Sequence, residues 1–107
     1  MNILTTYNEY RYKSKLKIGT KVKVILNDSL QKYFDDKKYS PCEEFKKYIN
    51  IIGTIIDIKK DKNDFLYAPN ETIYTVRFNY SDKEKENLNL PYYDIAWIYL
   101  REWIIPV

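Results

Sequence analysis

Two runs of β-branched and aromatic residues limit what this chain can fold into. The first is Ile51-Ile52-Gly53-Thr54-Ile55-Ile56-Asp57-Ile58-Lys59-Lys60, and after a polar stretch it is answered by Thr72-Ile73-Tyr74-Thr75-Val76-Arg77-Phe78-Asn79-Tyr80. Both are bounded by turn residues and rich in side chains that suit a pleated surface, which predicts strands rather than helices. In the second run Tyr74, Val76, Phe78 and Tyr80 share one side while Ile73, Thr75, Arg77 and Asn79 share the other, the alternation of a half-buried strand. In the first, Ile52, Ile56 and Ile58 fall on one side with Thr54, and Gly53 marks a place where a neighbouring backbone approaches or the strand bends.

Upstream, a two-residue rhythm runs from Tyr10 to Leu26 with a break at Gly19. Tyr10, Tyr12, Leu16, Ile18, Val22, Val24 and Leu26 alternate with Arg11, Lys13, Lys15, Lys17, Lys21 and Lys23, so an extended segment has one apolar and one basic face. Gly19-Thr20 divides it into a leading arm, residues 1–17, and a first strand at about Lys21 to Asn27. Asp28 or Ser29 can cap a short helical turn through Leu30, Tyr33 and Phe34. A firmer helix is expected next, with Ser40 as cap, Pro41 in the first helical position and Glu43 as reciprocal partner. Phe45, Tyr48 and Ile49 form its apolar stripe and Asn50 its end.

Ser81 to Asn87 reads as an exposed charged connection. From Ile95 to Leu100 the aromatic and β-branched content favours a strand, although Asp94 as cap with Ile95, Ile98 and Trp103 also fits a helix. A tight turn at Leu100 to Trp103 and a closing strand at Ile104 to Val107 complete the expected series. In that arrangement Trp103 seals the end of the fold against Val22, Val24 and Val76.

Gly19-Thr20 before Lys21-Val22-Lys23-Val24, Gly53-Thr54-Ile55-Ile56, the Tyr74-x-Val76-x-Phe78 strand, and a terminal Trp103-Ile104-Ile105-Pro106-Val107 together resemble a small SH3-like barrel of the Tudor-like or KOW-like kind. The resemblance covers about residues 18–107 and implies an all-β fold with a minor helical part: about five strands, with a short helix inserted in the first long loop. That inserted helix and the arm before residue 18 depart from a minimal barrel. One domain is expected, because 107 residues with 45% hydrophobic side chains fill one core.

Catalysis is poorly served by these residue types. There is no histidine, hence no ordinary Ser-His or Cys-His pair and no imidazole ligand. Cys42 near a helix start could carry an activated thiol, but no base lies nearby in sequence and a small apolar filler is the favoured reading. Asp57, Asp61, Asn63 and Asp64 are spaced suggestively for calcium, yet the glycine and terminal glutamate of a hand-type loop are missing, so no metal and no cofactor are expected. The Asn27, Asn70 and Asn79 glycosylation triplets are ascribed to an Asn-rich composition. With a single cysteine, no secretory start and no run of roughly 20 apolar residues, the chain reads as cytoplasmic, without a membrane partner.

Two surfaces remain for binding. Tyr92 and Tyr93 follow Pro91 in an expected loop and are the accessible pair, whereas Trp97, Tyr99 and Trp103 are assigned mostly to the core. Arg11, Lys13, Lys15, Lys17, Lys21 and Lys23 can track a phosphate backbone with Tyr10 or Tyr12 stacking on a base, or can simply keep a strand edge solvated. The expected function is a non-catalytic module acting through another protein, of the sort a phage or other mobile element encodes as an accessory or inhibitor protein. The alternative is a nucleic-acid-binding protein that uses the basic strand face.

Overall fold

A computed structural model of the chain describes residues 15–36, 42–60 and 71–107. Five strands form one antiparallel sheet: β1 (Lys21–Val24), β2 (Ile52–Lys60), β3 (Thr72–Asn79), β4 (Asp94–Leu100) and β5 (Ile104–Pro106). Their order across the sheet is β4-β3-β2-β1-β5, so the last strand returns to lie beside the first. β4 and β5 are the two edges, and the sheet is not closed into a barrel among the described residues. Three short helices, α1 (Asp28–Asp35), α2 (Glu43–Lys46) and α3 (Asp82–Asn87), and a 3-10 turn (Arg101–Trp103) fill the connections.

The basic and apolar alternation of β1 is realised, with Val22 and Val24 buried and Lys21 and Lys23 on the opposite face. The strand ends at Val24, earlier than expected, with one further bond in the same register from the Ile25 amide to Trp103 O, at 2.8 Å. That frees Asn27 to cap α1, its Oδ1 accepting from the Leu30 amide at 3.0 Å. The cap is therefore Asn27 and not Asp28 or Ser29. Ile18 and Leu26, placed by the alternation on the apolar side, are exposed, since a turn lies at Ile18-Gly19 and the chain leaves β1 before Leu26.

The weight of the two helices in the first long connection is the reverse of the expectation. α1 is eight residues long and buries Leu30 and Tyr33. α2 is a single turn, with Cys42 at its N-cap making no side-chain cap bond, while Ser40 and Pro41 lie outside the described residues. From Lys47 onward the amides bond three residues back, Lys47 to Glu44 O and Tyr48 to Phe45 O, so the chain tightens instead of continuing as α-helix. Asn50, at φ 70°, then turns it so that its own amide reaches Val24 O at 2.7 Å and β2 can start beside β1.

β2 also departs from strict alternation. Gly53 and Ile55 point inward, so Ile52 and Ile56 face out. A bulge between Ile55 and Asp57 then restores an inward Ile58 opposite Tyr74. β3 follows the expected alternation from Tyr74 on, with Tyr74, Val76 and Phe78 buried, but Ile73 on the other face is buried as well. β4 is a strand, and the turn at Arg101–Trp103 and the strand after it lie where expected. The segment after β3 is no simple loop: Ser81 and Glu84 form a reciprocal capping box that starts α3.

The core lies between the inner sheet face and the first connection and is largely aromatic. Phe45 stacks on Tyr99 with ring centres 5.2 Å apart and meets Trp97 edge-on at 5.5 Å, while Tyr48 tilts against Phe78 at 4.8 Å. Trp103 is fully buried 5.0 Å from Tyr33, and its Nε1–H donates to Ser29 Oγ at 2.9 Å.

Candidate functional site

The exposed aromatic pair is carried by the short connection from α3 into β4. Asn89, at φ 56°, reverses the chain after α3, the Leu90 amide donates back to Lys85 O at 2.9 Å, and the Leu90 side chain is buried as an anchor. Tyr92 and Tyr93 follow, 42% and 59% exposed. Their backbone is held from two sides although their rings are free. The Tyr48 hydroxyl donates to Tyr92 O at 2.9 Å and accepts from the Tyr92 amide at 3.3 Å. On the next residue, Tyr93 O accepts the Tyr80 amide at 2.7 Å.

The two clamping tyrosines are themselves fixed. Tyr48 is fully buried against Phe78, and burial raises its phenol pKa above the ordinary value against the opposing pull of the Tyr92 hydrogen bond. Tyr80 donates its hydroxyl to Ile52 O, and burial likewise raises its pKa. Where β4 starts, the Arg77 guanidinium makes a two-pronged contact with Asp94, at 2.8 and 2.9 Å. Hydrogen bonding from Arg77 lowers the Asp94 carboxyl pKa. The pair is exposed and serves mainly to fix two side chains next to the loop.

Beside this loop the outward face of the sheet carries a groove of about 370 Å³, lined by Lys21, Ile52, Gly53, Thr54, Ile56, Arg77, Asn79, Tyr80 and Glu84. A second, wider groove of about 600 Å³ runs along α1 and is lined by Asp28, Ser29, Gln31, Lys32, Asp35 and Glu102.

Of the basic row, Lys15, Lys17 and Lys21 are exposed and Lys23 is half-buried, while Arg11 and Lys13 lie outside the described residues. Lys21 and Lys23 share the outward face of β1, opposite Thr54 and Ile52 of β2. Cys42 is exposed and free at the start of the four-residue α2. Asp57 sits on β2, whereas Asp61, Asn63 and Asp64 lie outside the described residues. Among the described residues no cluster of three or more His, Cys, Asp or Glu could hold a metal ion, and no helix is long and apolar enough to cross a membrane.

Tyr48 and Tyr80 were not legible as part of a site. Their spacing marks them as inward residues, and it is the Tyr48 hydroxyl and the Tyr80 backbone amide, which no periodicity reports, that hold the Tyr92-Tyr93 backbone. Thr54 and Asn79 of the groove were equally hidden, because they become neighbours only when β2 and β3 pair. Comparison with protein-family models, with curated proteins and with solved structures found no match.

Proposed function

We propose that the protein is a non-catalytic binding module that engages another protein through Tyr92 and Tyr93. The observation that carries this reading is the double hydrogen bond between the Tyr48 hydroxyl and the Tyr92 peptide groups, made while both neighbouring rings stay exposed. Ordering a loop on association costs free energy, and a loop already ordered in the free protein avoids much of that cost. Tyrosine suits such a position, with large contact area and only two side-chain torsions to fix.

The fold reading is consistent with it. A strand order of β4-β3-β2-β1-β5, a long first connection and a 3-10 turn before the last strand support an SH3-like arrangement, an architecture used mostly for binding. That support is by analogy of fold, and the site argument stands on the tyrosines.

The test compares three forms of the protein as bait in a host lysate. Tyr92→Ala/Tyr93→Ala should lose the proteins that the parent retains while melting at the same temperature. Tyr48→Phe keeps both rings and loosens their backbone, and should weaken capture without abolishing it. If the double alanine variant retains the same proteins as the parent, the surface lies elsewhere.

A further inference from the structure

The groove beside β1 and the lysines on its rim form a second surface. Between Tyr10 and Asn27 the sequence holds six basic residues and no acidic one, although the whole chain is only +3. Lys15, Lys17, Lys21 and Lys23 have no ion-pair partner among the described residues, whereas the other cation of the groove, Arg77, is held by Asp94. The lysines outnumber the acidic groups at this surface, where Glu84 alone of the groove's lining carries a negative charge. Lys21 and Lys23 stand two residues apart on one strand face, a separation of about 6.6 Å. That is comparable with the spacing of successive phosphates along an extended nucleic-acid strand.

Next to Lys21 the groove changes character. Its floor is apolar where Ile52 and Ile56 turn outward, 41% and 44% exposed, and the Tyr80 side chain lines one wall. Thr54 and Asn79 add a hydroxyl and an amide that can donate and accept. A volume of about 370 Å³ exceeds what one planar base needs and falls within the range of small-ligand sites. Cations that track a backbone, beside a mixed recess in which two isoleucines and a tyrosine stand among hydrogen-bonding groups, supply the two parts single-stranded nucleic acid requires. Outward isoleucines and a Tyr80 wall favour this over a purely acidic chain such as polyglutamate, which has no flat apolar group to place there.

We infer that this face binds single-stranded nucleic acid, with phosphates along Lys15, Lys17, Lys21 and Lys23 and a base in the groove between Lys21, Thr54, Asn79 and Tyr80. The surface does not use the exposed rings of Tyr92 and Tyr93, so it stands or falls separately from the protein-binding reading.

Fluorescence anisotropy of a labelled short oligothymidylate, titrated with the full chain between about 50 and 200 mM salt, tests it. Affinity should fall with salt, with a log–log slope near −0.7 for each phosphate neutralised. Lys15→Ser/Lys17→Ser/Lys21→Ser should make the slope shallower by about 2, three contacts at that increment. Asn79→Ala should lower affinity and leave the slope unchanged, the signature of a base contact as distinct from a phosphate contact. Far-UV circular dichroism checks that both variants remain folded. The inference is overturned if the oligonucleotide fails to bind at the lowest salt, or if the triple serine variant keeps the parent slope. It is overturned equally if polyglutamate displaces the probe as well as unlabelled oligothymidylate does, because the face would then select only negative charge.

Discussion

Gly53 and Val76 approach so closely that a β-carbon placed on Gly53 would lie 2.5 Å from Val76 Cγ1. The same atom would meet Arg77 O at 2.8 Å and Phe78 Cδ1 at 2.9 Å. Two of these neighbours are buried core side chains and the third is backbone of the adjoining strand, so none can step aside without moving β3. Gly53→Ala should therefore destabilise the protein by about 1–3 kcal/mol, the range for overpacking a filled interior, despite the gain in strand propensity. Urea denaturation measures this, and a variant as stable as the parent would show that β2 and β3 can separate at this point.

Trp103 and Tyr93 should respond in opposite ways to truncation. Trp103 is fully buried against Tyr33 and bonded to Ser29, so Trp103→Ala should cost about 3–5 kcal/mol, a large part of the total stability of a domain this size. The Tyr93 ring is exposed, and Tyr93→Ala should stay within about 0.5 kcal/mol of the parent. Thermal melts of the two variants side by side make the comparison, and similar melting temperatures would contradict it.

Tyr99 offers a test of pH dependence. Its hydroxyl is buried with no hydrogen-bond partner among the described residues, and burial raises its pKa well above the ordinary phenol value. Tyr48 and Tyr80 are raised by the same cause. In the unfolded chain these phenols ionise near pH 10 or so. Because the folded values are higher, this contribution to stability is fully present below about pH 10 and is lost as pH rises toward the folded values. Tyr99→Phe removes the largest of the three effects together with an unsatisfied polar atom. It should leave stability at neutral pH unchanged or higher by about 1 kcal/mol, and should move the alkaline unfolding transition upward. A loss of stability at neutral pH would mean the hydroxyl has a partner in solution.

Much of the fold was legible because its strands announce themselves twice, by residue type and by rhythm. Tyr74, Val76 and Phe78 are buried as their alternation requires, and Trp103 to Pro106 take up the turn and closing strand that Ile104 and Ile105 suggest. What escaped was whatever depended on one residue breaking a rhythm. Strict alternation set Ile52, Ile56 and Ile58 together, but the bulge at Ile56 separates them, because only that extra residue lets Gly53 and Ile58 both face inward. Ser81 and Glu84 carry a capping signal that the surrounding charges masked, and α3 was read as a loop. Around the candidate surface, the exposure of Tyr92 and Tyr93 agrees with their place after Pro91. The groups that hold them are the Tyr48 hydroxyl and the Tyr80 amide, on parts of the chain whose approach is tertiary.

The pairing of β1 with β5 has a consequence for the order in which the molecule can assemble. Val24 pairs with Ile104, and Val22 with Pro106, across almost the whole described chain, while β2, β3 and β4 join only their sequence neighbours. The central meander can form early from contacts a few tens of residues apart, but the partner of β1 on its far side arrives only with Ile104 to Pro106. Contacts of such long range slow folding, because the loop they close must be ordered before they contribute. A nascent chain would then hold Lys21 to Val24 as a bare strand edge until Ile104 to Pro106 have left the ribosome, and lysines at Lys21 and Lys23 are suited to keeping that edge from pairing with another chain in the interval.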